Sequence, residues 1–152
     1  MEKFLKVVGT IILTIAALVV SLMYWASTET QEVTDAATPF IEESLPLFTT
    51  WDSTQFEHLF TPEGLAAVQS DKGKKIINYI SKVGKLKTFE PPVLVKSTSS
   101  ISTTSGSREI AIFTVHAQFE NGAGDLTLKL VRSESGYLFE TVNVNSDVFL
   151  EQ

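Results

Sequence analysis

The stretch Arg108–Phe119, with the sequence REIAIFTVHAQF, decides the fold class of this chain, because an apolar residue recurs there at every second position. The apolar residues that share one face are Ala111, Phe113, Val115, Ala117 and Phe119. A period of two is typical of a β-strand that buries one face and exposes the other. The stretch therefore predicts a strand in an antiparallel sheet.

Turn signals around this strand predict three further strands. Asn121–Gly122 is a strong hairpin signal, and Pro91–Pro92 bars a helix just before the first strand. The other strand-like segments are Val93–Thr104, a run containing Leu126, Leu128 and Leu130, and Tyr137–Val148, with turns at Ser105–Ser107 and Glu134–Gly136. We therefore expect a four-stranded antiparallel meander.

The last of these strands cannot turn all its apolar residues to one side by simple alternation. Either Tyr137 and Phe139 or Val142 and Val144 would face the core, but not both pairs. One extra residue near Glu140 would bring all four side chains to the same face. The sequence thus predicts a β-bulge between Glu140 and Val142, which would also bend the sheet.

Helical spacing and capping signals precede the strands and predict about three helices. Ser, Thr and Asp accept hydrogen bonds from the first N–H groups of a helix, and Pro fits its first turn. The start signals are Thr38–Pro39, Asp52, Thr61–Pro62 and Ser70 or Asp71. Pro46 is expected to bend or end the first helix, and Gly84 to end the last. Helices followed by strands predict an α+β domain.

An apolar run precedes this domain. Val7–Trp25, VVGTIILTIAALVVSLMYW, holds 19 residues without a charge and would form a helix roughly 28 Å long, close to the roughly 30 Å hydrocarbon core of a bilayer. Lys3 and Lys6 precede it, and only acidic charges follow before Lys72, so the positive-inside rule puts the N-terminus in the cytoplasm. A cleaved signal peptide and a buried soluble helix are the alternatives. The length of the run and the bulky Tyr24–Trp25 at its end favour an uncleaved anchor.

The chain is thus expected to have a cytoplasmic N-terminus at 1–6, a transmembrane helix at 7–25, a juxtamembrane linker at 26–38 and an extracytoplasmic domain at 39–152. Four small residues share one face of the span, namely Thr10, Thr14, Ala17 and Ser21. Small residues let helices approach closely in lipid, so this face could dock an integral membrane partner. The alternative is that such residues are simply common in membrane spans.

Composition excludes several kinds of site. The chain has no cysteine and two histidines, so it has no cysteine nucleophile or disulfide, and we expect no metal and no cofactor. Its net charge of -6 gives no electrostatic footprint for nucleic acid. Two of the 12 basic and one of the 18 acidic residues lie before residue 26, so the remainder carries a net charge of -7.

Helices followed by a long curved antiparallel sheet resemble the cystatin-like cone of the nuclear transport factor 2 superfamily. The segments Asn121–Gly124, Ser135–Phe139 and Val142–Ser146 are similar to small bacterial members that pair one N-terminal anchor with a periplasmic cone. The resemblance covers about residues 35–150 and implies about three helices packed on a curved four-stranded sheet. The superfamily includes steroid isomerases, ligand-binding proteins and assembly factors of type IV secretion machines, so it does not settle a function.

Few residues could carry catalysis. An isomerase-like site needs a carboxylate base and acidic hydroxyl donors, and the candidates are Tyr79, Tyr137, Glu140 and, further off, Asp125. The simpler interpretation makes Tyr137 a core aromatic and Glu140 an exposed strand residue. The two histidines, His58 and His116, are expected on solvent-facing sides of their elements.

Two surface features could bind a partner. Six lysines lie on or just after the last helix of an acidic domain, namely Lys72, Lys74, Lys75, Lys82, Lys85 and Lys87. They could form a patch for lipid headgroups or an acidic partner, or only a solvated helix face. Ile110 and Ile112 lie opposite the core face of their strand, where they could join a homodimer or be covered by the chain itself.

Three functions remain open. The first is a non-enzymatic accessory, assembly or interaction subunit of an envelope membrane complex in the bacterial inner membrane, with the domain in the periplasm. The second is a binding module that holds a small apolar ligand or lipid in the cone cavity. The third, a small isomerase-like enzyme, is the remote one.

Overall fold

The chain is described by a computed structural model that covers residues 1–103 and 106–150, without the side chains of residues 2–6, 26 and 102. Thr104 at the end of a predicted strand, Ser105 of the predicted turn, and the side chains of Lys3 and Lys6 lie outside the described part. The chain divides into two compact units, 1–32 and 33–152, and each is treated by itself.

Helices come first and strands follow. The helices are α1 (Glu2–Phe48), α2 (Ser53–Phe56), α3 (Pro62–Gln69) and α4 (Asp71–Ile80), with 3-10 turns at Glu57–Leu59, Ser81–Val83 and Asp147–Phe149. The strands are β1 (Leu86–Phe89), β2 (Val93–Ser102), β3 (Gly106–Phe119), β4 (Ala123–Ser133) and β5 (Gly136–Asn145). The fold is α+β, with a curved antiparallel sheet packed against helices as in a cone.

The first unit contains the whole apolar run, residues 7–25. Every residue from Val7 to Trp25 is exposed, and the most apolar 18-residue window has a mean hydropathy of 2.4 with none of it buried. Among the described residues this is the one helix long and apolar enough to cross a membrane. A signal sequence or the core helix of a soluble protein can also meet this criterion of length and hydropathy.

In the second unit, α1 contributes a buried stripe at helical spacing. Its members are Val33, Ala37, Ile41, Leu45 and Phe48. The helix runs without a break through the predicted linker, and the unit begins at residue 33 rather than 39. Pro39 and Pro46 lie inside the helix on its exposed side, so they interrupt hydrogen bonds there while the buried stripe keeps its register.

The predicted capping residues begin the later helices. The side chain of Asp52 accepts a hydrogen bond from the N–H of Thr54 at 3.1 Å, and Thr61 and Ser70 accept from residues three positions on at 3.1 and 3.0 Å. The 3-10 turn after α4 ends at Gly84, whose φ of 84° is costly for any residue with a Cβ. The N-terminal ends of α2, α3 and α4 are therefore fixed by local sequence.

The sheet has five strands rather than the four expected. The strand order is β1-β3-β4-β5. The remaining strand, β2, also pairs with β3, as the short β1 does. Four residues are too few to show a period of two, so β1 carries no clear signal in the sequence. It forms because Leu86 and Phe89 pack against the core, and Pro91–Pro92 then separates it from β2.

The predicted bulge is present at Glu140. Lys129 pairs with Thr141 and Leu130 pairs with Phe139, which leaves Glu140 as the extra residue of β5. Tyr137 and Phe139 are buried, and Val142 and Val144 on the other side of the bulge also pack against the core. The bulge therefore brings all four apolar side chains to one face.

Aromatic rings join the helices to that face. Phe40 lies 5.0 Å and Phe60 5.7 Å from Phe139, measured between ring centroids, and Phe48 lies 5.0 Å from Phe56. The facing sheet residues are completely buried, namely Phe113, Leu126, Leu128, Leu130 and Phe139. Helix side chains thus fill the concave side of the sheet over these positions.

We predict that Gly64→Ala destabilises the domain. A Cβ at Gly64 would lie 2.9 Å from the carbonyl oxygen of Glu140 and 3.1 Å from that of Phe139, so α3 would have to move away from β5. The expected loss is about 1–3 kcal/mol in the free energy of unfolding. Urea denaturation of the full chain in detergent, followed by circular dichroism, measures it.

Ala66→Gly on the exposed side of the same helix is the matched control, since it changes helix propensity alone and is expected to cost about 0.5–1 kcal/mol. A Gly64→Ala variant as stable as the wild type would contradict the close packing of α3 on β5.

Candidate functional site

The bulge residue Glu140 has two cationic partners on the face of the sheet opposite the core. Its carboxylate pairs with Arg108 of β3 and, at 2.5 Å, with the Nζ of Lys129 of β4. The Glu140 side chain is only 17% exposed. The hydrogen bond from Lys129 lowers the pKa of Glu140, partial burial opposes this, and the charges of Lys129 and Arg108 add to the lowering.

A second polar cluster surrounds the hydroxyl of Tyr137. Tyr137 donates to Glu109 at 3.3 Å, and Glu109 also pairs with Arg132 at 3.2 Å. Burial raises the pKa of Tyr137, and the negative charge of Glu109 raises it further. The phenol therefore stays protonated and acts as a hydrogen-bond donor.

The structure does not bring the four candidate catalytic residues together. Tyr79 stacks on Phe149 with ring centroids 4.9 Å apart, and Asp125 pairs with His116 at 2.7 Å. Glu140 and Tyr137 have separate partners. A carboxylate with a lowered pKa is a weak base, and a tyrosine with a raised pKa is a weak acid, so neither is tuned for proton transfer near neutral pH.

The expectation that Glu140 is an exposed strand residue is wrong. The bulge shifts Glu140 out of the regular alternation and places it between two cations that come from other strands. The apolar pattern of β5 predicts the bulge but contains no signal for these partners. The hydrogen bond from Tyr137 to Glu109 likewise has no signal in the sequence.

The histidines lie on the surface. His58 is exposed in the 3-10 turn after α2, and His116 is exposed on the outer face of β3. The hydrogen bond to Asp125 is the main cause that raises the pKa of His116, and desolvation opposes it. Among the described residues, no group of three or more His, Cys, Asp or Glu side chains is placed to hold a metal ion.

The six lysines are all exposed, but the fold distributes them over different surfaces. Lys74 lines a pocket of about 270 Å³ together with Trp51 and Glu57. Lys85 and Lys87 line a groove of about 750 Å³ beside the end of α1. The ammonium group of Lys82 lies over the ring of Tyr79, 5.2 Å from its centroid.

Lys72 and Lys75 remain on the solvent side of α4 beside the exposed Ile76. Residues three and four apart on a helix are surface neighbours, so Lys72 lies next to both Lys75 and Ile76. The six lysines therefore do not form one uniform basic patch, and Lys72 and Lys75 form a group of their own.

Next to this group lies an apolar cleft that the sequence did not predict. It has a volume of about 190 Å³ and lies between α3, α4 and β5. Two glycines shape it: Gly64 lets α3 approach β5, and a Cβ on Gly73 would lie only 2.0 Å from the carbonyl oxygen of Ala67. A glycine inside a predicted helix can indicate that another backbone lies close to the helix, so Gly64 and Gly73 are the signal for this cleft in the sequence.

The two other predicted surfaces lie on α1 and β3. Thr10, Thr14, Ala17 and Ser21 are all exposed on α1, and the hydroxyl of Thr14 donates to the carbonyl of Thr10 at 2.8 Å. Ile110 and Ile112 are half-buried and alternate with Ala111 and Phe113 of the core. Their partners on β4 are Val131 and Lys129. Docking at either surface stays a prediction.

No protein-family model matches the chain, and no curated protein sequence matches it either. Among solved structures, it is similar to a candidate aromatic ring hydroxylase from Novosphingobium aromaticivorans DSM. The two share 12% identity, the alignment covers 76% of this chain and 85% of the other, and the TM-score is 0.34. Similarity of this degree does not relate the activities of two proteins.

We predict that Glu140→Gln lowers stability at neutral pH and changes its acid dependence. Because the pKa of Glu140 is lower in the folded chain than its ordinary value of 4.5, its ion pairs contribute stability above pH 4.5 that is lost as pH falls through the lowered value. The variant should lose about 1–3 kcal/mol at pH 7 and should lose less than the wild type on acidification.

Denaturation curves at a series of pH values measure both effects. Glu134→Gln, in the exposed turn between β4 and β5, is the matched control and should behave like the wild type. If Glu140→Gln kept the wild-type stability and pH profile, the ion pairs would contribute nothing to folding.

Proposed function

We propose that the chain is a single-pass protein of the bacterial inner membrane that acts as a non-enzymatic accessory, assembly or interaction subunit of an envelope membrane complex. The observation that carries this proposal is the contrast within α1: residues 7–25 are apolar and exposed, whereas from Val33 onward the helix has a buried stripe. An apolar helix that nothing in its unit covers is stable in lipid rather than in water. The bacterial assignment follows from the resemblance to anchored cone proteins.

The orientation follows from the charges that flank the run. Lys3 and Lys6 precede it, and Glu29, Glu32 and Asp35 follow it. Basic residues near a span are retained in the cytoplasm, so the domain would lie in the periplasm. The small-residue face of the span, defined by Thr10, Thr14, Ala17 and Ser21, would contact a helix of the partner.

The side chains that could perform chemistry favour a non-enzymatic role. Glu140 is neutralised by two cations and Tyr137 is held by Glu109, so both have partners within the domain. The alternative of an apolar ligand in the cone has less support, because α1 and the aromatic rings occupy the concave side of the sheet. The apolar side chains on the concave side of the sheet therefore form the hydrophobic core.

We predict that affinity purification of the detergent-extracted chain retains a stoichiometric integral membrane partner, identified by mass spectrometry. Thr14→Leu together with Ala17→Leu should reduce the retained partner about ten-fold or more, because the added bulk prevents close helix approach. The amount of partner per mole of chain is the measured quantity.

The matched control carries Ile12→Leu and Val19→Leu, which lie on roughly the opposite side of the helix and change bulk little. An equal loss of partner in both double variants would argue against a specific docking face. Purification of a lone monomer carrying a bound lipid would instead favour the ligand-binding alternative.

We also predict that the mature chain keeps its N-terminus and exports its domain. Intact-mass measurement of the purified protein should show that residues 1–25 are still attached. A fusion of alkaline phosphatase after the domain should be active, because this enzyme folds only outside the cytoplasm. A mature chain that begins near residue 26 would identify the apolar run as a cleaved signal peptide and would overturn the anchor.

A further inference from the structure

The cleft between α3, α4 and β5 has an apolar floor and an exposed rim. Its floor includes Phe48, Phe60 and Ile80, each less than a tenth exposed, whereas Ile76 at the rim is 48% exposed. Ala67, also exposed, lies on the α3 side. Its volume of about 190 Å³ can take one large apolar side chain from solvent.

One wall of the cleft is an open strand edge. β5 is the last strand in the sheet order, with β4 on its inner side. On its outer side, the N–H of Thr61 donates to the carbonyl of Phe139 at 2.9 Å. Beyond the bulge, within the described residues, the backbone of 141–145 makes no hydrogen bond outside its ladder with β4. Such an edge can accept an extended peptide as a further strand.

The charges at the rim select the partner. Lys72 and Lys75 lie beside Ile76 on the exposed side of α4. Glu140 also lines the cleft, but it is paired with Arg108 and Lys129. The rim lysines therefore contrast with the chain as a whole, which has a net charge of -6. Acidic side chains of a partner would thus be attracted here and repelled by much of the remaining surface.

The same arrangement disfavours a lipid surface as the occupant. A bilayer would meet a broad basic face, but Lys74, Lys85 and Lys87 line other pockets of the domain. A concave apolar cleft bordered by two lysines and a strand edge fits a peptide better than a flat layer of headgroups.

We propose that this cleft binds an extended segment of a protein partner, in which acidic residues flank one large apolar side chain. The segment pairs with the edge of β5 beyond Glu140, its apolar side chain enters the cleft, and its carboxylates lie against Lys72 and Lys75. This inference rests on the proposed function, since it specifies the chemistry that the interaction domain recognises.

The test uses the full chain in detergent micelles and a displayed library of random peptides about ten residues long, the upper length of an ordinary strand. Enrichment of peptides with Leu, Ile or Phe between Asp or Glu residues is expected. A synthetic copy of the most enriched peptide should lose affinity about ten-fold or more with Lys72→Glu and Lys75→Glu together, and its binding should weaken with salt.

Two further variants separate the cleft from general effects. Ala67→Trp should fill the cleft and abolish binding, whereas Lys74→Glu, which changes the same charge on the other side of α4, should leave the affinity within about two-fold. Circular dichroism of each variant shows whether it is folded. If only Ala67→Trp failed to fold, the proposal would still be tested by comparing two affinities. These are the affinity of the variant with Lys72→Glu and Lys75→Glu together and that of Lys74→Glu.

Several outcomes would overturn the proposal. These are enrichment of peptides without acidic residues, an equal effect of Lys74→Glu, self-association of the chain that Ala67→Trp abolishes, and binding to phosphatidylglycerol vesicles that depends on Lys72 and Lys75. If the membrane partner still co-purified while the library gave no cleft-dependent peptide, the proposed function would stand and this inference would fail. If the library gave cleft-dependent peptides but no membrane partner co-purified, this inference would stand and the proposed function would fail.

Discussion

Glu140 is the extra residue of the β-bulge in β5, and much of the packing in the domain depends on this bulge. In a strand with a period of two, either Tyr137 and Phe139 or Val142 and Val144 would face water. The extra residue turns both pairs to the core and directs the Glu140 carboxylate to the opposite face, between two cations. The backbone carbonyl of Glu140 also faces Gly64, so the approach of α3 depends on the same bulge.

Much of the fold could be predicted because its signals are local. A cap such as Asp52 or Thr61 acts within three residues, and the bulge follows from apolar positions within one strand. The errors arose where packing outweighs a local signal. Pro39 indicates a helix start, but the stripe that includes Ala37 and Ile41 continues through it, and burial of that stripe keeps the helix whole.

The site could be predicted only in part, because it depends on residues far apart in sequence. The six lysines form one cluster in the sequence. In the fold, however, the helical period places Lys74 on a different side of α4 from Lys72 and Lys75. The partners of Glu140 come from β3 and β4, about 32 and 11 positions away in the chain. The cleft exists only when α3, α4 and β5 have packed together, so no single segment contains a signal for it.

The two open edges of the sheet differ in a way that bears on where a partner can bind. β2 has the same length as β5 and exposes the side chains of Val93, Val95 and Ile101. However, the register of β2 shifts between Leu94 and Lys96, and a bulge and a lysine at an edge both hinder the addition of a strand. The edge of β5 beyond Glu140 is regular in its pairing with β4 and borders an apolar cleft. Strand addition is therefore hindered at β2 and favoured at β5, beside the lysines that would select an acidic partner.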